Sequence, residues 1–151
     1  MSSKSIPAET DIMRLTGHRF PGGFYTVAHW ENYLLTECTG AELLPNGMVH
    51  PVVLFHLPII GADTSIAEMF ALGQAESDLS IMIESYDWEI LQPLREEIRY
   101  RISGGITSAE RCKNAQDKLY DRIQFCFDVH TPEETLAART TIIWHYTRHT
   151  L

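Results

Sequence analysis

The chain has 151 residues and a formal net charge of −8, and 44% of its residues are hydrophobic. This length and composition predict one globular domain with its own core. The acidity argues against a nucleic-acid partner, whose phosphates attract lysine and arginine. No apolar stretch reaches about 18 residues, so no membrane span is expected. Three widely spaced cysteines, Cys38, Cys112 and Cys126, favour reduced thiols and a cytoplasmic protein.

The first 40 residues predict a flexible N-terminus, a short strand and an amphipathic helix. Residues 1–15 are predicted to be the flexible segment, and residues 16–151 a single domain. Residues 24–27 favour a short strand. Apolar residues then recur at helical spacing, which predicts a helix that ends at Gly40. The apolar face of this helix is expected to consist of Val27, Trp30, Leu34, Leu35 and Cys38.

A long apolar segment predicts one central buried helix over residues 52–72, after a Pro-Asn-Gly turn. Pro58 lies inside this segment and is expected to kink the helix or divide it in two. Asp63 or Thr64 is then predicted to cap the second part, and Gly73 to end it. The side chains predicted to be buried are Phe55 in the first part and Ile66, Met69 and Phe70 in the second.

The C-terminal half has the period of two that is typical of antiparallel strands with one face in water. Ile98, Tyr100 and Ile102, for example, alternate with charged residues. Residues 104–117 are predicted to be a long link between two strands. Helices followed by a run of antiparallel strands predict an α+β fold. The four predicted strands are residues 80–90, 97–103, 119–129 and 138–148.

This order of elements resembles the hotdog fold, in which an antiparallel sheet is wrapped around a long central helix. Within that fold, residues from about Thr16 to Arg148 resemble the MaoC-like (R)-specific enoyl-thioester hydratases and dehydratases. The resemblance implies an acyl-CoA or acyl-carrier-protein thioester as ligand. Because sheet edges expose unpaired strand groups, we also expect dimers that extend the sheet. The resemblance rests on Gly17…Tyr25-Thr-Val27, Gly47-Met-Val-His-Pro51…Phe55, Tyr86…Gln92-Pro93-Leu94 and the three closing strands.

Catalytic members of that family carry an Asp and a His a few residues apart, between the first helix and the central one. The corresponding interval, Thr39–Gly47, contains neither, and Glu42 is its only ionisable residue. The family also commonly has a glycine whose N–H bonds the thioester oxygen; here that residue is Pro51, which has no N–H. The resemblance therefore implies a non-catalytic subunit that shapes the acyl channel, without catalytic residues, cofactor or metal. The expected partner is a second hotdog subunit that carries the Asp and His, or a second copy in a homodimer.

Four residues at the start of the central helix are predicted to contact the substrate: His50, Pro51, Phe55 and His56. As functional groups, the two histidines would be substitutes for the missing acid and base, or donors to the thioester. The alternative is that His50 satisfies a buried carbonyl and His56 packs at an interface. No third ligand has the spacing of a metal site with them.

Two other functions remain open from the sequence. Hotdog thioesterases place an acidic residue on or near the central helix to activate water, and Asp63 or Glu68 would fill that role. The competing role of Asp63 is a helix cap. A ketosteroid-isomerase-like α+β barrel, as an enzyme or a ligand-binding protein, has a similar length. Its Asp and Tyr would be Asp87 and Tyr86, which point to opposite faces of a strand and are poorly placed to share a site.

Overall fold

The computed structural model describes residues 5–148, which fold as an α+β domain, as predicted. The strands are β1 (Gly23–Thr26), β2 (Ile81–Ile90), β3 (Arg99–Lys113), β4 (Leu119–His130) and β5 (Leu136–Thr147). They form one antiparallel sheet in the order β1-β3-β4-β5-β2, so β1 and β2 are its edges. The helices are α1 (Glu9–Met13), α2 (His29–Thr39), α3 (Leu57–Gly61) and α4 (Ile66–Leu72), with 3-10 helices at Pro45–Gly47, Pro51–Phe55 and Asp78–Ser80. No helix within residues 5–148 is long and apolar enough to cross a membrane.

The predicted link over residues 104–117 is wrong, because β3 continues to Lys113 and pairs with β4 along its length. Gly104 and Gly105 lie inside the strand. A Cβ atom at Gly104 would lie 2.3 Å from a ring carbon of Phe127, and one at Gly105 would lie 2.2 Å from the carbonyl oxygen of His18. These two glycines therefore allow close packing on the strand and do not mark a loop.

The central helix is divided, as the proline predicted, but the pieces differ from the prediction. Pro58 lies in the first turn of α3, where its missing N–H costs nothing. The chain turns at Asp63, whose φ is +60°. The cap of α4 is Ser65, whose hydroxyl accepts the N–H of Glu68 at 3.1 Å, so neither Asp63 nor Thr64 is the cap. Gly73 follows the last residue of α4, as predicted.

The buried side chains of the central segment match the prediction only in part. Leu54 is 1% exposed and lies in the core, whereas Phe55 is 52% exposed, so its predicted burial is wrong. Met69 is buried and Phe70 packs against the core, but Ile66 is exposed. The core between this segment and the sheet includes Val53, Leu54, Leu57, Ile59 and Met69, packed with Ile102, Phe125, Phe127 and Ile142.

Close contact between α3 and the sheet depends on Gly61. A Cβ atom on this residue would lie 2.4 Å from Cγ1 of Ile102 in β3. A Cβ on Gly23 in β1 would lie 2.7 Å from the carbonyl oxygen of Gly61. The two glycines therefore let α3 lie directly on β1 and β3, which fixes the position of the preceding 3-10 helix.

Helix α2 is present and ends at Gly40, whose φ of +73° is the left-handed conformation of a C-terminal cap. The predicted apolar face is correct only in part: Val27 is buried and Leu35 packs against the core. Trp30 is 67% exposed and Leu34 is also exposed, whereas Asn32 and Thr36 are the buried residues of the helix. A polar face is buried because its groups find hydrogen-bond partners in the rest of the domain.

The ordered domain begins before residue 16, so the predicted flexible segment over residues 1–15 is too long. Helix α1 covers Glu9–Met13 and buries Ile12 completely. Arg111 donates to the carbonyl oxygen of Pro7 at 2.7 Å, and it also binds the buried carboxylate of Asp121. Arg148 binds the same carboxylate at 2.7 Å. This Arg–Asp–Arg network links the N-terminal segment to β3 and β4, and it links the residue that follows β5 to β4.

Candidate functional site

An apolar cavity of about 190 Å³ lies beside the start of the central segment. A cavity of about 150 Å³ with apolar walls is known to hold benzene, so this one has room for a somewhat larger group. None of its lining side chains is charged or polar. The lining residues are Leu44, Met48, Val49, Pro51, Val53, Leu54, Ile90, Pro93 and Leu94.

Backbone hydrogen bonds hold the two segments that form the cavity wall. The N–H of Val49 donates to the carbonyl oxygen of Leu94 at 2.7 Å, and the N–H of Glu96 donates to Gly47 at 2.8 Å. Residues 47–49 and 94–96 therefore run side by side, with an isolated bridge between Met48 and Arg95. This pairing keeps the apolar side chains of both segments around one space.

Asn32 explains why α2 buries a polar face. Its amide nitrogen donates to the carbonyl oxygen of Met48 at 3.1 Å and to Glu96 at 2.7 Å. Its amide oxygen accepts the N–H of His50 at 3.0 Å. The hydrogen bond from Asn32 lowers the pKa of Glu96, and His29 adds to this effect. One buried side chain thus fixes α2, the cavity wall and Glu96 relative to one another.

Of the four predicted substrate residues, only Pro51 lines the cavity, while His50 lies next to it in the chain. Nδ1 of His50 accepts the N–H of Val52 at 3.0 Å and so caps the 3-10 helix. This is a structural role, although the partner is an N–H and not the buried carbonyl considered above. Phe55 packs on β2 instead, with its ring centroid 5.4 Å from Tyr86 and 5.0 Å from Trp88.

His56 belongs to a second cluster, which joins β1, α2 and the start of α3. Its Nε2 lies 3.1 Å from Oε1 of Glu31, and the Tyr25 hydroxyl donates to the same oxygen at 2.5 Å. The Glu31 side chain is 14% exposed and that of His56 is 32% exposed. Burial, together with the hydrogen bond to Glu31, raises the pKa of Tyr25, so its phenol stays protonated and donates.

The sequence singled out His56 but missed its partner. Glu31 lies 25 positions earlier and has no spacing that marks it as part of a site. The only sequence signal is that a carboxylate stands in the first turn of α2, where the helix dipole favours it. His50 and His56 themselves bind different partners and do not form a common site.

No family model matches the sequence, and no curated protein matches it significantly. Solved structures do match. The ChsH1-ChsH2 complex from Mycobacterium tuberculosis aligns with a TM-score of 0.70 and 9% identity, over 94% of this chain and 92% of that chain. The C-terminally truncated HadBC (3R-hydroxyacyl-ACP dehydratase) complex from Mycobacterium tuberculosis aligns with a TM-score of 0.63 and 8% identity, over 85% and 93%. A thioesterase from Thermus thermophilus, solved with coenzyme A and zinc, aligns with a TM-score of 0.52 and 12% identity, over 85% and 81%.

This chain has the hotdog fold. The resemblance to MaoC-like hotdog proteins inferred from the sequence is confirmed at the level of the fold. The ketosteroid-isomerase-like barrel considered above is therefore wrong. The sheet surrounds a divided central segment here, and not one long central helix.

The acidic residues that a hotdog thioesterase would need on the central helix are poorly placed. Asp63 is exposed in the turn between α3 and α4, and it does not line the cavity. The carboxylate of Glu68 accepts the hydroxyl of Thr64 at 3.0 Å, on the exposed side of α4. Among residues 5–148, no group of three or more His, Cys, Asp or Glu side chains is arranged to hold a metal ion.

Proposed function

We propose that this chain is a subunit of an (R)-type enoyl-CoA hydratase or 3-hydroxyacyl-thioester dehydratase, in which it holds the acyl group while a second hotdog subunit supplies the catalytic Asp and His. The observation that carries this proposal is the apolar cavity. It lies beside the segment 48–54, and none of its lining side chains can bind or release a proton. Such a cavity suits an acyl chain, but its side chains cannot transfer the protons that the reaction requires.

Hydration of an α,β-unsaturated thioester requires a base that activates water, an acid that protonates the α-carbon and a donor to the thioester oxygen. Around this cavity all three are missing. Pro51 has no N–H to donate, His50 uses Nδ1 to cap a helix, and Glu42 is exposed in the loop after α2. The missing groups therefore have to come from a partner.

Two observations support a hotdog partner. Two of the similar structures, ChsH1-ChsH2 and HadBC, are complexes of two named components. The edge strand β2 also exposes the large apolar side chains Met82 and Ile83, with Leu79 exposed just before the strand. An unpaired edge with such side chains is a liability that pairing with a second sheet removes. A homodimer through the same edge is the alternative assembly.

The ligand we infer is an acyl-CoA or acyl-carrier-protein thioester with a short acyl group inside the cavity. A volume of about 190 Å³ suits a group somewhat larger than benzene, which is the size of a short acyl chain. The apolar rim formed by exposed Leu43, Leu44, Ile90 and Leu91 would carry the remainder of a longer group. We also propose the reducing cytoplasm as the compartment, because three widely spaced cysteines favour reduced thiols.

The test is an enoyl-CoA hydration assay on three samples: the chain alone, the chain co-expressed with a hotdog protein encoded beside its gene that has an intact Asp…His motif, and that protein alone. We expect hydration of crotonyl-CoA or a longer enoyl-CoA only where the Asp and His are present, with the highest rate in the complex. Hydration by the isolated chain at ordinary enzyme rates would contradict the proposal. Pro51→Gly is a matched control, because it restores one donor worth roughly 3–4 kcal/mol but neither proton-transfer group, and the isolated variant should stay inactive.

A hotdog acyl-CoA thioesterase is the second candidate, and the alignment with the Thermus thermophilus thioesterase favours it. The discriminating product is free CoA, which a thioesterase releases and a hydratase does not. Because Asp63 is exposed in a turn, we expect Asp63→Asn to leave any such activity unchanged. Loss of CoA release in a folded Asp63→Asn protein would assign the activity to the acidic residue that the sequence suggested.

A further inference from the structure

The edge strand β2 combines apolar ends with an acidic centre. It pairs only with β5 among the strands of residues 5–148, so its other side is open. Large exposed apolar side chains lie on both sides of the centre: Leu79, Met82 and Ile83 before it, and Ile90 and Leu91 after it. The centre itself carries three exposed acids, Glu84, Asp87 and Glu89, and no lysine or arginine.

We propose that β2 pairs with an edge strand of a different protein, one that presents lysine or arginine to this acidic centre, and not with a second copy of the chain. The inference rests on the proposed function in one respect, which is that a partner binds at β2. It decides between the two assemblies considered above and adds the charge that the partner strand carries.

The lack of basic residues extends well beyond β2. Residues 20–94 contain ten Asp and Glu residues and no Lys or Arg, so all twelve basic residues lie in the rest of the chain. This segment forms β1, α2, the central segment and β2. A partner that covers this part of the domain therefore meets mainly negative charge, and a positively charged surface complements it.

Two of the three acids have no ion-pair partner within residues 5–148: Asp87 and Glu89. Arg139 in β5 lies opposite Glu89 in the register of the sheet. Its guanidinium, however, binds the carboxylate of Asp128 in β4 at 2.7 Å. The basic residues of the neighbouring strands therefore leave two negative charges of β2 for a partner.

Self-pairing of β2 would bring the acids of two copies together. A continuous sheet made from two copies pairs the two edges as antiparallel strands about a twofold axis. When the strand ends lie opposite each other, Glu84 of each copy faces Asp87 of the other. A shift by two residues places Glu84 opposite Glu89, and a shift by three places Asp87 opposite itself. Like charges directly opposite on paired strands are destabilising, so each of these registers is disfavoured.

A partner strand with lysine or arginine at its centre converts these repulsions into attractions. Opposite charges on facing strands stabilise the pair, while the apolar ends of β2 supply buried area. Charged groups in such an interface determine which partner is accepted. An edge that only avoided association would not need large exposed apolar side chains at both ends.

The experiment uses a charge-reversed copy of this chain as the basic partner. The double variant Asp87→Lys/Glu89→Lys places two lysines in the centre and keeps Glu84. Sedimentation velocity compares the wild type, the variant and their equimolar mixture at micromolar concentration. We expect the wild type to be monomeric. The new lysines face Glu84 in the variant alone or the wild-type acids in the mixture, so one of these two samples should associate at least about tenfold more tightly than the wild type.

Two further variants and the salt dependence separate pairing from a general effect of charge. Asp87→Asn/Glu89→Gln removes the repulsion without adding attraction, so its self-association should lie between the two. Glu37→Lys/Glu42→Lys changes the net charge equally but lies on α2 and the loop after it, so it should match the wild type. Raising the salt from about 20 mM to about 300 mM should strengthen any wild-type self-association and weaken that of the charge-reversed samples, because salt screens both repulsion and attraction.

Hydrogen exchange at the backbone amides of β2 shows whether this strand is paired in any dimer. The inference is overturned if the wild type forms a dimer that protects these amides, or if neither sample with the charge-reversed variant associates more tightly than the wild type. Folding is checked by circular dichroism. If the lysine variant does not fold, the Asn/Gln variant decides, and equal association with the wild type then overturns the inference. No substrate is present, so this result and that of the hydration assay are independent.

Discussion

Leu54 and Phe55 are neighbours in the chain, and the structure predicts opposite costs for truncating them. Leu54 is 1% exposed, so Leu54→Ala removes three carbons from the core and should cost about 3 kcal/mol, within the usual range for a buried leucine. Phe55 is 52% exposed, so about half of its transfer free energy is at stake, which is about 1 kcal/mol. For a chain of this size the corresponding shifts in Tm are about 6–12 °C and about 2–4 °C.

Urea unfolding followed by tryptophan fluorescence measures both free energies of unfolding. All proteins should be compared at one concentration, because any dimerisation makes the apparent stability depend on concentration. An unchanged m-value in both variants would show that the same surface is exposed on unfolding. If Phe55→Ala costs more than Leu54→Ala, the central segment is rotated relative to the structure, and the cavity lined by Leu54 would have to be withdrawn.

Three further predictions concern the sheet and its contacts. The pKa of Glu84 falls from its ordinary 4.5 to about 2, mainly because Arg122 donates a hydrogen bond to its carboxylate. This pair therefore stabilises the fold fully above about pH 4.5, and the stabilisation is lost as the pH falls towards 2. Glu84→Gln should flatten that part of the acid-unfolding curve recorded by circular dichroism. Gly61→Ala should destabilise by about 1–3 kcal/mol in thermal melts, because its Cβ would lie 2.4 Å from Ile102; a neutral effect would argue against close packing of α3 on the sheet. Asp121→Asn should cost about 3–5 kcal/mol in urea unfolding, because it leaves the buried Arg148 and the partly buried Arg111 without their counter-charge. A cost below about 1 kcal/mol would show that the network is solvated.

The sheet could be predicted from the sequence because alternation of apolar and polar residues directly reflects its two faces. The alternation of Ile123, Phe125, Phe127 and Val129 in β4 is an example, and all four are buried. The extent of β3 could not be predicted. Gly104 and Gly105 are usually loop signals, and only their contacts with Phe127 and the segment before β1 show why a strand needs them.

The orientation of α2 and the cluster of Tyr25, Glu31 and His56 could not be predicted from the sequence, for a related reason. The helix buries Asn32 because three hydrogen-bond partners, from segments far along the chain, surround its amide. That burial turns Trp30 outward and places Glu31 beside His56. Periodicity reports which residues prefer water on average, but not which polar groups find partners in the folded state. Pro51, by contrast, starts a 3-10 helix, as a proline commonly does, and it lines the apolar cavity; its contact with a substrate stays a prediction.

The central claim is that this chain holds an acyl group in the cavity lined by residues 44–54 and 90–94. Saturation-transfer NMR with butyl-CoA tests it most directly, because this thioether can be neither hydrated nor hydrolysed. Leu44 lines the cavity and is partly exposed at its rim, so Leu44→Trp should fill the space without unfolding the domain. We predict transfer to the butyl methyl group with the wild-type chain and its loss in Leu44→Trp. No transfer with the wild-type chain, or equal transfer in the variant, would contradict the account.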